Sequence, residues 1–239
     1  MSTEQRTHTE AHGHQHRDVS GGWLRPAVFG AMDGLVTNAS LIAGVGGGGG
    51  AAHTVVLTGL AGLAAGAMSM AAGEFVSVSS QNELVSAEVH KERLELENNA
   101  DAERAELASM LRAQGVSADV ARVAAAQISE NPEKALAVHA LEELGVNPGE
   151  LPSPVTAAGA SLASFAVGAI VPLIPYLAGY SVLGVALACA AVAAIAGGGS
   201  VARMTNRPFL RGALRQLLLA ALATGVTYGV GALIGAVAS

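Results

Sequence analysis

Residues 52–76 read AHTVVLTGLAGLAAGAMSMAAGEFV, twenty-five residues with one acid, Glu74, and no Lys or Arg. At about 1.5 Å per residue a helix of this length crosses the roughly 30 Å hydrocarbon core of a bilayer, so the stretch reads as a membrane span. Four further stretches of the same kind lie near 27–47, 155–177, 179–200 and 214–237. The composition of the 239-residue chain agrees: 51% hydrophobic, 3% aromatic and 13% charged, with 30 Gly. Such a mixture suits close helix packing in lipid better than an aromatic core in water. No strand alternation is present, and the expected fold class is all-α, a polytopic membrane protein with five transmembrane helices.

Punctuation and charge refine the layout. Pro26 suits the first turn of span one, the run Gly46 to Gly50 ends it, and Pro172 with Pro175 should kink or stop span three. All thirteen Lys and Arg fall in three places: before span one, between spans two and three, and between spans four and five. With five spans these places share one side, so the N-terminus is expected in the cytosol. Between spans two and three, residues 83–150 carry fourteen acids against six bases. Their pattern is helical, with breaks at Asn98-Asn99, Gly115, Asn131-Pro132 and Gly145, and the first helix continues span two. The expected organisation is a His-rich cytosolic tail over 1–25, spans one and two over 26–77, a cytosolic acidic helical metal-binding insert over 78–152, and spans three to five over 153–239.

These features exclude several functions. A pI of 5.6 and a net charge of -6 argue against nucleic acid as a partner and for a cation. A lone cysteine, Cys189, excludes internal disulfides, cysteine-based zinc sites and iron–sulfur ligation. There is no phosphate-binding Gly-rich motif ending in Lys and no nucleophile–base constellation, so neither an ATP-driven pump nor an enzyme is expected, and no prosthetic group.

The spans hold two acids, Asp33 and Glu74. An intramembrane carboxylate costs about 2.5–3.5 kcal/mol on insertion scales, a cost that normally marks a pathway. Asp33, Met70 and Glu74 are expected at similar depth, with Met32 and Met68 nearby, a mixed oxygen and sulfur environment suited to a borderline divalent metal. In the insert, Glu92-x-x-Glu95 and Glu103-x-x-Glu106 form two identical pairs, either on one continuous helical stripe or facing each other across a break at Asn98-Asn99. His139 and Glu143, four apart, add a nitrogen and an oxygen on one face. Acid-rich helices are ordinarily only solvated; beside an intramembrane carboxylate, metal ligation becomes the better reading. His8, His12, His14 and His16 of the tail are further possible ligands.

Two stretches, Asp33-Gly-Leu-Val-Thr-Asn-Ala-Ser-Leu-Ile-Ala-Gly44 and Ala67-Met-Ser-Met-Ala-Ala-Gly-Glu-Phe-Val-Ser-Val-Ser-Ser80, resemble the vacuolar iron transporter family. The resemblance covers about Arg25 to the C-terminus. It implies a homodimer exporting ferrous iron, in some members manganese, from the cytosol by proton exchange. It places the path between the two first spans, with Asp33 and Met70 on it, and makes Glu92, Glu95, Glu103, Glu106 and Glu143 ligands of the insert. A methionine pair of that domain is replaced by His139 and Ala140, and a membrane glutamate of some members falls at Gly62.

The function expected is therefore secondary export of a divalent transition metal by proton antiport, with metal ions, protons, membrane lipid and a second copy as partners. The membrane would be the plasma membrane in a bacterium or the vacuolar membrane in a eukaryote. Two alternatives stand beside it: a membrane-anchored metal buffer or sensor without transport, and a passive cation channel.

Overall fold

A computed structural model describes residues 22–238, leaving out the side chain of Ala238; the histidines of the tail lie outside the described residues. The described chain is helical, without strands. Its elements are α1 (Leu24–Gly47), α2 (Ala52–Asn98), α3 (Ala100–Ala113), α4 (Ala118–Ser129), α5 (Pro132–Leu144), α6 (Pro154–Ile170), a 3₁₀ turn (Val171–Leu173), α7 (Ile174–Leu177), α8 (Leu183–Met204) and α9 (Phe209–Ala238). Five helical segments are long and apolar enough to cross a membrane: α1, the first part of α2, α6 with its extension to Leu177, α8 and α9. Span four starts at Leu183, later than read from sequence, because the chain turns through Gly179 at φ +89°. Span five starts at Phe209, directly after Pro208.

Span three shows how proline shapes a helix in lipid. Pro172 and Pro175 have no N–H to offer the carbonyls of Gly168 and Val171, four residues back. Those carbonyls instead accept from Val171 and Ile174, three residues on, which tightens this stretch into a 3₁₀ turn. The nearby carbonyl of Ala169 accepts a hydrogen bond from the amide nitrogen of Asn38 on α1, so a fully buried side chain ties the irregular segment to its neighbour.

α1 lies at the centre of the bundle. Gly30 and Gly34 of α1, with Gly62 and Gly66 of α2, suggest from sequence a close approach of spans one and two; the structure sets Gly62 against Asn38 and Leu41 of α1, but places Gly30, Gly34 and Gly66 against α6. A Cβ on Gly34 would strike the main chain of Phe165, and one on Gly168 would strike that of Ala31, so the two backbones meet through facing glycines. The Phe165 ring is buried against Gly66 and Ala67 of α2 and locks the three helices together. A second apolar layer, Ile42, Val55, Leu173 and Tyr176 with Ala186, closes the opposite end.

α2 runs unbroken through 47 residues, carrying span two directly into the insert. All four breaks in the insert fall where punctuation places them. Asn131 caps α5 by accepting from the Lys134 N–H at 3.1 Å, with Pro132 in the first turn, and Gly145 ends α5 in the left-handed conformation at φ +66°. Arg93 of α2 donates two hydrogen bonds to Glu133, at 2.7 and 3.3 Å, and so fixes the start of α5 beside α2.

Candidate metal sites

The insert gathers four ligand-bearing side chains from three helices. Glu92 comes from α2, Glu103 from α3, and His139 and Glu143 from one face of α5; one ligand atom of each lies within 4.8 Å of all the others. The break at Asn99 makes this possible, since it turns α3 back and sets the two acid pairs across from each other. Asn99 itself occupies the capping position of α3, with no capping hydrogen bond from its side chain. Asp101 pairs with Arg104 in the first turn.

His139 is fully buried, and its Nδ1 lies 3.1 Å from Glu143, 3.1 Å from Glu92 and 3.8 Å from Glu103. Its Nε2 has no hydrogen-bond partner, and neither has the Glu92 oxygen facing Nδ1. A buried polar group without a partner is costly, and the Glu92 oxygen, among the other carboxylates, marks a place shaped for something that supplies positive charge. Burial, followed by the Glu143 charge, pushes the Glu92 carboxyl above its ordinary value; His139 opposes this. Glu103 is likewise raised, by burial and then by Glu106. Three carboxylates and one imidazole form a set suited to a borderline divalent ion such as ferrous iron or manganese, more than to magnesium, which retains water and oxygen ligands.

Glu95 and Glu106 are not in the convergent set. Glu95 is partly buried and pairs with Lys91 at 3.9 Å, while Glu106 is exposed. Both stand close enough for their charges to raise the neighbouring acids, which makes them an outer acidic ring. The two members of each E-x-x-E pair therefore differ: Glu92 and Glu103 turn inward and are over nine-tenths buried.

In the bundle, Asp33 is partly buried on α1, and its Oδ1 accepts a hydrogen bond from Thr37 Oγ1 at 3.4 Å. Ser40, seven residues beyond Asp33 and so on the same stripe of α1, is buried with an unpartnered hydroxyl. Thr37 and Ser40 escape a search for metal ligands, but as polar residues in an apolar span they carry the same signal as Asp33. Met70 packs with Leu63 on Phe165 and Ala169, Met32 faces Gly197 of α8, and Met68 is 64% exposed on the outer surface. Glu74 is paired with Arg25 at 3.6 Å. Within one copy, Asp33, Met70, Met32 and Glu74 each have a different described neighbour.

The model of the VIT family matches residues 24–232. A vacuolar iron transporter from Acanthamoeba castellanii is 36% identical over 228 residues, covering 92% of this chain and 82% of its own length. Vacuolar iron transporter homolog 3 of Arabidopsis thaliana is 35% identical over 216 residues, covering 89% and 84%, and homolog 1 of Oryza sativa subsp. japonica is 38% identical over 219 residues, covering 89% and 74%. Similarity of this extent takes in the five spans together with the insert that holds the four-ligand cluster, and the chain belongs to the VIT family.

Proposed function

We propose that the chain is a secondary transporter that exports a divalent transition metal, ferrous iron and also manganese, from the cytosol by proton antiport. Relatives named as vacuolar iron transporters support a metal cargo. The observation that carries transport is Asp33: a carboxylate in an apolar span, partly buried, with a hydroxyl as its described hydrogen-bond partner and no described cation beside it. An anchor gains nothing from such a group, whereas a moving cation needs it.

In this reading the side bearing the arginines and the insert is cytosolic, because basic residues are retained there. The membrane is vacuolar in a eukaryotic cell and the plasma membrane in a bacterial one. Glu92, Glu103, His139 and Glu143 collect metal, with Glu95 and Glu106 drawing it in. Asp33 and Met70 line a path between the first spans of two copies, with Glu74 at its cytosolic mouth. A metal ligates the deprotonated carboxylate, so protons from the far side compete for Asp33 and promote release; the metal is cargo and no resident cofactor is required.

The test is manganese flux into proteoliposomes under an imposed pH gradient. Wild type should transport only with the gradient, and Asp33→Asn should abolish flux while leaving binding at the insert intact. Full flux in Asp33→Asn refutes the assigned path. The four-ligand cluster by itself also suits a membrane-anchored metal buffer or sensor, and binding without any flux in wild type would establish that reading instead.

A further inference from the structure

α1, α8 and α9 enclose a cleft on a different face of α1 from Asp33. Its inner part, a cavity of about 420 Å³, is lined by apolar side chains such as Leu35, Ala39, Ala190, Leu217 and Ala220. Toward the arginine-bearing side the same three helices border a second cavity of about 300 Å³, where Arg25, Met32 and Arg215 form the walls. The geometry of α9 produces this trough. Gly198 and Gly212 bring α8 and α9 into backbone contact at one end, and Gly44 and Gly231 bring α1 and α9 together at the other. Between those contacts Ala220 of α9 packs against Leu35 and Ala39 of α1 and Ala190 and Ala194 of α8, while a Cβ added at Gly225 would meet nothing within 4 Å.

The lining along α9 runs from Arg215 to Tyr228. At about 1.5 Å per residue this spans roughly 20 Å, enough to cover the ~15 Å of hydrocarbon in one leaflet. We propose that this cleft is a binding site for one anionic glycerophospholipid from the leaflet on the arginine side, with an acyl chain in the trough and the phosphate at Arg25 and Arg215. Charge complementarity identifies this occupant. A neutral chain alone needs no arginines, and a free anion needs no trough, whereas an anionic lipid uses both. Arg215 is exposed and no acid is described beside it, and the Arg25 side chain, although 3.6 Å from Glu74, is 83% exposed and open to a phosphate. Leu35 and Ala39 lie roughly 160° and 120° round α1 from Asp33, so the acyl chain lies away from that carboxylate, while the phosphate at Arg25 lies on the side of the Arg25–Glu74 pair. The site therefore stands whether or not the transport reading does.

The experiment is native mass spectrometry and thermal unfolding of the full chain in detergent. It is supplied in turn with dioleoylphosphatidylglycerol, dioleoylphosphatidylcholine and glycerol 3-phosphate. Phosphatidylglycerol should be retained and raise the unfolding temperature, and the other two should do neither. Arg215→Gln should weaken phosphatidylglycerol retention about fivefold, the factor for one arginine near a membrane surface. Ala220→Phe, which fills the trough, should weaken it further. Equal retention of both lipids, an equal effect of glycerol 3-phosphate, or full phosphatidylglycerol retention in Arg215→Gln would overturn the proposal. So would a wild-type dimer without bound lipid that Ala220→Phe dissociates, since a second copy would then be the occupant.

Discussion

His139 Nδ1 can hold one proton, yet it lies near three carboxylates, two of them 3.1 Å away. With no bound cation, burial and mutual repulsion raise Glu92 and Glu103 above the ordinary 4.5. For an acid, a raised pKa in the folded state means that the native protein keeps protons which the unfolded chain has released. Native stability is therefore highest at low pH on this account and falls as pH rises from the ordinary value through the raised ones. A divalent ion replaces those protons. Metal-free protein should unfold at a lower temperature at pH 7.5 than at pH 4.5, followed by circular dichroism, and manganese should close the gap mainly at pH 7.5. Equal unfolding temperatures without metal would show that the cluster is not under this electrostatic load. Glu92→Gln separates a ligand from a structural group, because its two effects have opposite signs. It should stabilise the metal-free protein at pH 7.5 by relieving repulsion, and weaken manganese binding at least about tenfold by calorimetry. A loss of stability together with unchanged binding would mark Glu92 as structural.

Helices in this bundle meet where glycine lets them. Gly34→Leu would force α1 and α6 apart at the Phe165 main chain, an overpacking that costs about 1–3 kcal/mol or more. A Cβ at Gly229 meets nothing, and Gly229→Ala should change stability by no more than about 0.5 kcal/mol. Thermal unfolding in detergent should rank them in that order; comparable losses would show that Gly229 faces a packed surface, as an interface between copies would provide. These glycines also show how far the sequence can be read. Spacing identifies a small-residue face on α1 but not the helix that fills it, and at Gly30 and Gly34 α6 fills the place expected for α2, which meets α1 at Gly62 instead. Helix ends were legible because Asn131-Pro132 and Gly145 act locally through capping and left-handed backbone. The inward turn of Glu92 rather than Glu95 was not, since identical E-x-x-E spacing treats them alike. What distinguishes them is the approach of α5, set by the pairing of Arg93 with Glu133 forty residues away.

On the scale of the whole molecule, the insert leaves and rejoins the bundle at nearly one point. The Asn82 side-chain amide donates to the Pro152 carbonyl at 2.9 Å, and α6 begins two residues later under a Ser153 cap. Residues 83–150 can therefore be replaced by a short Gly/Ser linker without stretching the helices they connect, and the packing of α1 on α6 does not depend on them. If the insert only concentrates metal near the path, its removal lowers the local supply and leaves the route intact. Flux of the shortened protein at saturating manganese should match wild type, while the metal concentration for half-maximal flux rises about tenfold, by analogy with the loss of a tethered binding site. A fall in maximal flux with unchanged half-saturation would instead make the insert part of the moving machinery. Its unbroken connection through α2 supplies a mechanical route for that outcome, since a shift at Glu92 would be carried along one helix to Met70 and Glu74. Flux lost in Asp33→Asn but kept in the shortened protein would place the crossing step in the bundle and the gathering step in the insert.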